Sequence, residues 1–249
     1  MGHAHPAPTE TARQPEPDMS ARLFAERDAE DRHAARLSPA STRHLRSLRL
    51  ETGDMLEAVL GPGDLWRAMI TSSEAGGAKL SLEEKLPAPP EDPIAPIWLL
   101  VAIADLGRSE TLVEKVTELG ATDILFFRAA RSQAREISDS RLQRLRRIAL
   151  AACEQCRRTW PPRLAQANSL EAALQSLPDD VQAIAFDPTA DENLAPRSES
   201  IAFLIGPEGG FDAAELSWLE QQKIPRCSLG PRTLRFETAA IAALAALRK

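Results

Sequence analysis

The stretch FLIGPEGGFDAAEL, from Phe203 to Leu216, decides the fold of the second half of the chain. It joins a short apolar run to a turn with three glycines and one proline, and then to the start of a helix. Asp212 and Glu215 have the spacing of a capping box, and Phe211 is placed to form a hydrophobic staple with Leu216. The stretch predicts a buried strand, a tight turn and a helix, and such a turn in an open α/β sheet is a candidate ligand site.

Strands and helices are predicted to alternate on both sides of this stretch, from residue 97 to residue 249. The predicted strands are IWLLVAIA, DILFF, VQAIAFDP, SIAFLIG and RCSLG. The predicted helices are SETLVEKVTELG, the segment from Ser138 to about Arg158, DAAELSWLEQQ and ETAAIAALAALRK. Alternation of this kind is typical of an α/β fold with a mostly parallel sheet that is covered by helices on both faces.

The part of the chain before residue 97 shows three other patterns. Residues 1–20 are rich in Pro, Glu and small side chains and predict a disordered extension. Residues 21–86 contain short alternating runs between glycine turns at hairpin spacing, which predicts a small β-barrel or sheet module. Residues 87–96, PAPPEDPIAP, contain five prolines and predict a linker before the domain of residues 97–249.

The composition favours a folded protein of the cytoplasm. Of the 249 residues, 43% are hydrophobic, which is ample for a packed core. The apolar runs are too short to span a bilayer, and the N-terminus has no apolar core of a secretory signal. The odd count of three cysteines favours a reducing compartment. Cys153 and Cys156 form a lone C-x-x-C, which is a weak zinc signal, and we predict no metal site.

Charge is distributed unevenly along the chain. The net charge of −6 argues against a nucleic-acid coat protein of the histone kind. Residues 128–163 nevertheless contain ten arginines and only three acidic residues. A local basic field on an acidic protein is thus a candidate surface for contacts with phosphate groups.

The glycine turn itself excludes two common ligand classes. It matches neither the P-loop pattern nor the dinucleotide fingerprint, and no lysine stands beside it. The carboxylate of Glu208 would repel a phosphate, so a neutral or cationic ligand fits better. The alternative is that Gly206, Gly209 and Gly210 only allow positive φ in a tight connection, and the residues alone leave both interpretations open.

A second strand, Gly-Pro turn and helix follow in CSLGPRTLRFETAA, from Cys227 to Ala240. The two adjacent units resemble the paired signatures of the SPOUT methyltransferases. They resemble more closely the ribosomal small-subunit methyltransferase E family, which methylates N3 of a uridine in 16S ribosomal RNA. The matching motifs are residues 204–210 and 229–239, and EKVTELG and ACEQC match two further signatures of that family.

The resemblance implies a fold, a cofactor and an assembly. It implies a PUA-like RNA-binding barrel at residues 21–86, a methyltransferase domain tied in a trefoil knot, and a homodimer whose site is completed by the partner. The implied cofactor is S-adenosylmethionine, held by two glycine turns and a third loop. The residues expected to bind it are Phe186, Asp187, Pro188, Leu204, Ile205, Gly206, Pro207, Glu208, Gly209, Gly210, Leu229, Gly230, Leu234, Arg235 and Thr238.

The resemblance also implies a reaction and an RNA surface. Arg232 and Arg235 are candidates for stabilising negative charge on the uridine carbonyls. Glu237 is a candidate base, or alternatively an acid that complements the dipole of the last helix. A non-catalytic assembly factor of the same fold and a SPOUT methyltransferase with another RNA target are the alternatives. The expected RNA contacts are Arg43, Arg46, Arg108, Lys115, Arg128, Arg131 and Arg157.

Overall fold

A computed structural model describes residues 21–74, 76–87, 95–132, 134, 136–190 and 200–247. The predicted disordered extension of residues 1–20 and most of the predicted linker lie outside these ranges. The chain divides after Pro87 into two compact units, which are described separately below.

The first unit is a closed β-barrel, which is one of the two architectures that the spacing of its glycine turns predicts. The five strands follow the order β1-β2-β5-β4-β3 around the barrel, and β3 closes it by pairing parallel to β1 while the other pairs are antiparallel. Leucine and isoleucine side chains such as Leu23, Leu56 and Ile70 fill the interior. The elements are β1 Arg22–Arg27, β2 Ala34–Leu37, α1 Pro39–Ser47, β3 Met55–Val59, β4 Leu65–Glu74 and β5 Gly77–Leu86.

Helix α1 is absent from the sequence prediction. Ser38 caps it by accepting a hydrogen bond from the backbone N–H of Ser41 at 3.1 Å, and Pro39 stands in its first turn. Leu45 on its inner face is fully buried. Arg43 and Arg46, which we expected on a β module, therefore lie on the exposed face of a helix of the barrel unit.

The second unit is an α/β fold with six described strands, all parallel, in the order β8-β7-β6-β10-β9-β11. This confirms the predicted class, whereas no observation tests the trefoil knot, which stays a prediction. The elements are β6 Ile97–Ala102, α2 Leu106–Glu118, β7 Asp123–Phe127, α3 Asp139–Cys156, β8 Arg163–Ala167, α4 Leu170–Gln175, β9 Gln182–Phe186, β10 Ile201–Ile205, α5 Ala213–Gln221, β11 Arg226–Cys227 and α6 Phe236–Leu247.

The sheet is buried on both faces, which explains its continuous apolar strands. Leu99 and Val101 of β6 join one apolar cluster with side chains of α2, α3 and α6. Leu100 and Ala102 join a second cluster with side chains of α4 and α5. Because the strands are parallel, the segments after β6, β7, β9, β10 and β11 all lie at one edge of the sheet, and this edge carries the site.

Candidate functional site

A cavity opens at the carboxyl edge of the sheet, between the turns that follow β9, β10 and β11. Its empty volume is about 640 Å³, including the part open to solvent. Among the described residues, its lining comes from these three turns and the start of α6: Phe186, Asp187, Pro188, Ile205, Gly206, Pro207, Glu208, Gly210, Cys227, Leu229, Gly230, Arg232, Thr233, Leu234, Phe236 and Ala239.

Most residues expected to bind a cofactor line this cavity, and four do not. Leu204 is fully buried and packs into the cluster on the α4 and α5 side of the sheet. Gly209, Arg235 and Thr238 are exposed outside the lining. The lining residues that the motifs did not indicate as cofactor contacts are Cys227, Arg232, Thr233, Phe236 and Ala239.

Helical spacing explains why two of these residues, Phe236 and Ala239, line the cavity. Phe236 and Ala239 are three residues apart in α6 and so lie on one face of the helix, which borders the cavity. The predicted contact at Thr238 falls on another face. Motif position alone therefore indicated this segment but not which face of α6 borders the cavity.

The glycine turn after β10 is tight at two positions. A Cβ atom on Gly206 would lie 3.2 Å from Cε2 of Phe211, and the Phe211 ring in turn stacks on Phe127 with 6.5 Å between centroids. Gly210 has a φ of +68°, which side chains rarely adopt, and its N–H donates to the Pro207 carbonyl at 2.8 Å. The turn thus favours glycine at residue 206 through a close contact with Phe211 and at residue 210 through the backbone conformation.

The predicted capping box at the start of α5 is present. The Glu215 N–H donates to the side chain of Asp212 at 2.8 Å, and the Asp212 N–H donates to the side chain of Glu215 at 2.8 Å. The second carboxylate oxygen of Glu215 accepts a hydrogen bond from the N–H of Ala130 at 2.9 Å. One side chain therefore fixes both the start of α5 and the segment after β7.

Glu208 forms an ion pair with an arginine in the first turn of α2. Its carboxylate forms an ion pair with Nη1 of Arg108, whose Nε lies 3.1 Å from the carboxylate of Asp105, the N-cap residue of α2. Arg131 holds the next residue of the turn, because its Nη1 donates to the Gly209 carbonyl at 2.6 Å. Two arginines expected to contact RNA thus hold the turn.

The turns after β9 and β11 are held by Asp187, which is nearly buried. Burial by itself would raise the pKa of the Asp187 carboxyl, but hydrogen bonds from Thr189 and Arg226 outweigh burial and hold the pKa below its usual value. Thr189 donates its N–H at 2.8 Å and its hydroxyl at 2.7 Å, and Arg226 donates Nη1 at 2.8 Å. Asp187 therefore ties one wall of the cavity together as a carboxylate.

The three residues proposed for catalysis have different surroundings. Arg232 lines the cavity and is exposed, whereas Arg235 is exposed outside the lining. Neither guanidinium has a hydrogen-bond partner among the described residues. Glu237, on the first turn of α6, is partly buried, and its Oε2 atom is buried without a hydrogen-bond partner within the described part of the chain. Only Arg232 of the three faces the cavity directly.

Several arginines of the basic field bind groups of the fold, among them Arg163, whose side chain is also exposed. Arg158 donates to the carbonyls of Thr117 and Ala121 at 2.7 and 3.0 Å. Arg141 donates to the Ala104 carbonyl at 2.5 Å, and Arg163 pairs with Asp123 at 2.7 Å. Fewer arginines of the basic field are therefore available to bind phosphates than the count of ten suggests.

The remaining expected RNA contacts lie on exposed surfaces or in ion pairs. Arg43, Arg46, Arg128 and Arg157 are exposed, and Arg157 ends α3 with a positive φ of 62°. Lys115 pairs with Glu114 at 2.7 Å and with Glu118 at 2.9 Å, and hydrogen bonds to these carboxylates raise its pKa.

Neither a metal cluster nor a membrane-spanning helix is found in the described ranges. No group of three His, Cys, Asp or Glu side chains there is placed to hold a metal ion. Burial raises the pKa of the Cys153 thiol to about 12, and this thiol donates to the Trp160 carbonyl at 3.4 Å. No described helix is long and apolar enough to cross a bilayer.

Known proteins resemble this chain in sequence and in structure. The sequence model of a protein family, described as RNA methyltransferase domain, matches residues 90–248 of this chain. A Bacillus subtilis ribosomal RNA small subunit methyltransferase E is 34% identical over 166 residues, which cover 61% of this chain and 64% of that protein. The enzyme of the same name from Mycobacterium bovis is 30% identical over 210 residues, which cover 80% of this chain and 79% of that protein.

Two solved structures extend the similarity to both units. A Legionella pneumophila methyltransferase in complex with SAM has a TM-score of 0.80 and 28% identity, covering 91% of this chain and 96% of that one. A Neisseria gonorrhoeae ribosomal RNA small subunit methyltransferase E bound to S-adenosyl methionine has a TM-score of 0.79 and 26% identity, covering 92% and 96%. With the matches in sequence, they show that this chain belongs to the ribosomal RNA small subunit methyltransferase E family.

Proposed function

We propose that this chain transfers a methyl group from S-adenosylmethionine to N3 of a uridine in 16S ribosomal RNA. The observation that carries the proposal is the cavity built by the turns after β9, β10 and β11 in a chain of this family. The similar structures from Legionella pneumophila and Neisseria gonorrhoeae both hold this cofactor. Fold, family and cavity therefore support one activity.

The lining of the cavity fits such a cofactor. Phe186, Leu229 and Phe236 offer apolar walls for a nucleoside ring, and the glycines at 206 and 210 expose backbone groups beside them. No lysine is found among the described lining residues, and neither glycine turn has the P-loop pattern that binds phosphates. When bound, the cofactor supplies an electrophilic methyl group on a sulfonium.

The residue best placed to assist the acceptor is Arg232. Loss of the N3 proton leaves a negative charge that N3 shares with the two flanking carbonyl oxygens. N3 then takes the methyl group as the carbon–sulfur bond breaks and S-adenosylhomocysteine leaves. Arg232 lines the cavity, and its guanidinium has no partner among the described residues, so its N–H groups are available to these oxygens. Arg235 would act from just outside the lining.

Glu237 has two candidate roles in the proposed reaction. As a base, it would take the N3 proton, and its unpartnered Oε2 atom supports this role. As an acid in the first turn of α6, it would instead stabilise the positive end of the helix dipole. The pH profile of a Glu237→Gln variant separates the two, since only loss of a base removes the acidic limb of the profile.

The exposed arginines support RNA as the substrate. The exposed arginines are Arg43 and Arg46 on α1, Arg128 after β7 and Arg157 after α3. Guanidinium groups bind phosphates without reading sequence, so they would place the RNA rather than choose the nucleotide. We further propose a homodimer, and a stable monomer in sedimentation at working concentration would contradict it.

Methyl transfer by the purified protein tests the proposed function. Small subunits from cells that lack the gene are incubated with the protein and labelled S-adenosylmethionine, and the digested RNA is analysed by mass spectrometry. We expect label in 3-methyluridine from 16S RNA, and a rate lowered about 100-fold or more by Arg232→Ala. Cofactor binding without any transfer would favour the non-catalytic assembly factor, and label elsewhere would favour another RNA target.

A further inference from the structure

The glycine turn after β10 is held from two neighbouring loops. Arg108 comes from the first turn of α2, after β6, and its guanidinium pairs with the Glu208 carboxylate. Arg131 comes from the segment after β7 and donates Nη1 to the Gly209 carbonyl at 2.6 Å. The strands β7, β6 and β10 are consecutive in the sheet. The two arginines therefore connect the segments that follow β6 and β7 to the turn after β10, which borders the cavity.

Contacts around Arg131 reinforce this bridge. A Cβ atom on Gly209 would lie 3.3 Å from Cδ of Arg131, so the side chain of Arg131 lies close to a residue that has none. The adjacent N–H of Ala130 donates to Glu215 at 2.9 Å, and the ring of Phe127 stacks on that of Phe211. The last residue of β7 and the segment after it therefore contact the turn and the start of α5 at three points.

Glu208 lines the cavity, which leaves two possible roles for its carboxylate. It could pair directly with the cationic sulfonium of the cofactor, or it could act on the turn alone. Its carboxylate is bonded to Arg108, which is itself anchored to Asp105 at the start of α2. The negative charge is therefore already neutralised by an arginine of the fold.

We propose that Arg108 and Arg131 are positioning residues for the cofactor turn and that Glu208 acts through Arg108 rather than on the sulfonium. This inference rests on the proposed function, because it concerns the same cavity. The side chains of Arg108 and Glu208 are 33% and 41% exposed, so solvent weakens their attraction. We therefore expect each lost contact to weaken cofactor binding by about two- to fivefold, and not to abolish it.

Calorimetry with two ligands distinguishes the roles of Glu208. S-adenosylmethionine carries the sulfonium charge, whereas S-adenosylhomocysteine has a neutral thioether and the same remaining groups. If Glu208 acts through Arg108, Glu208→Gln weakens binding of both ligands by the same factor. A loss confined to S-adenosylmethionine would show direct contact with the sulfonium and overturn the proposal.

A double-mutant cycle tests whether the two residues act together. We expect Arg108→Met and Glu208→Gln each to weaken cofactor binding. The double variant should bind the cofactor as tightly as the single variant with the lower affinity. Arg131→Met should also weaken binding of both ligands. Independent, multiplying effects of Arg108→Met and Glu208→Gln, or wild-type affinity in Arg108→Met or Arg131→Met, would contradict the positioning role.

Arg144→Met is the matched control, because it removes an exposed ion pair between α3 and Glu110 of α2, away from the turn. We expect its affinity for both ligands to equal that of the wild type. Thermal unfolding of each variant without ligand checks that the fold is retained. A wild-type protein that binds neither ligand would contradict the proposed function. Wild-type affinity in Arg108→Met, Arg131→Met and Glu208→Gln would contradict only this inference.

Discussion

Gly206 shows how a single position determines the shape of the cavity. Its missing side chain lets the Phe211 ring lie against the turn, and Phe211 stacks on Phe127 from the neighbouring β7. The preference for glycine at this position therefore comes from the packing of the Phe211 ring against the turn. The motif identified this residue from its pattern, but only the three-dimensional contact gives the physical reason.

Replacing Gly206 with alanine should weaken cofactor binding. The new methyl group would lie 3.2 Å from the Phe211 ring, so either the ring or the turn must move. We expect a loss of stability of about 1–2 kcal/mol and a weaker affinity for S-adenosylmethionine. Denaturant unfolding and calorimetry measure the two effects.

Gly76→Ala is the control, because a Cβ atom at residue 76 meets nothing within 4 Å and its φ is not positive. Its stability should differ from that of the wild type by less than about 0.5 kcal/mol. If Gly206→Ala behaves in the same way as this control, the packing explanation is wrong.

Asp187 should contribute stability that depends on pH. Its folded pKa is lowered, so its contribution is complete above the unfolded pKa of about 4 and is lost as pH falls through the folded value. We expect Asp187→Asn to cost about 1–2 kcal/mol at pH 7, where hydrogen bonds to a charged carboxylate are lost. The difference from the wild type in urea unfolding should shrink below about pH 4. A difference that stays constant down to pH 3 would show that its charge is not involved.

At the scale of elements, the capping box of α5 is the clearest link between sequence and structure. The spacing of Asp212 and Glu215 predicted it, and both reciprocal hydrogen bonds are present. The sequence did not show that Glu215 also accepts from Ala130, 85 residues away. Local patterns thus located the helix, while its contact with the segment after β7 depends on the strand order.

Removing the cap should destabilise the second unit without changing its chemistry. Asp212→Ala leaves an N–H at the start of α5 without its acceptor, and we expect a cost of about 1 kcal/mol. Asp180→Ala, in an exposed turn before β9, is the control and should cost less than about 0.5 kcal/mol. Chemical denaturation compares them, and equal stabilities would remove the cap as a contributor.

The elements that the sequence did not predict were missed because their local patterns are weak. Helices α1 and α4 are short, at nine and six residues, and β8 has alternating exposed positions and no continuous apolar run. Their stability comes from the neighbouring elements against which they pack, which local patterns do not record. The continuously apolar strands β6, β7 and β10 were predictable because each is buried on both faces.

At the scale of the whole molecule, one chain combines a basic helix on a barrel with a cavity in an α/β sheet. The family signatures indicated both units, whereas residue counts overstated the basic field, since Arg141, Arg158 and Arg163 are used within the fold. A count of charges does not reveal which ones are paired. Only the placement of each arginine separates phosphate contacts from structural ones.

Arg43 and Arg46 should contribute to RNA affinity and not to cofactor affinity. Both are exposed on α1 of the barrel unit. We measure the slope of the logarithm of the RNA-binding constant against the logarithm of the salt concentration. We expect the double variant Arg43→Ala, Arg46→Ala to lower the magnitude of this slope by about one to two. Arg36→Ala, which removes an arginine paired with Asp28, is the control and should leave the slope unchanged. A double variant with the wild-type slope would remove α1 from the RNA surface.

The most direct test of the proposed reaction is the modification map of 16S ribosomal RNA from cells with and without the gene. We predict that one uridine carries a methyl group on N3 in the first strain and lacks it in the second, and that a plasmid with the wild-type gene restores it. An Arg232→Ala plasmid should restore it poorly at equal protein level. Identical modification maps from the two strains would contradict the proposed function.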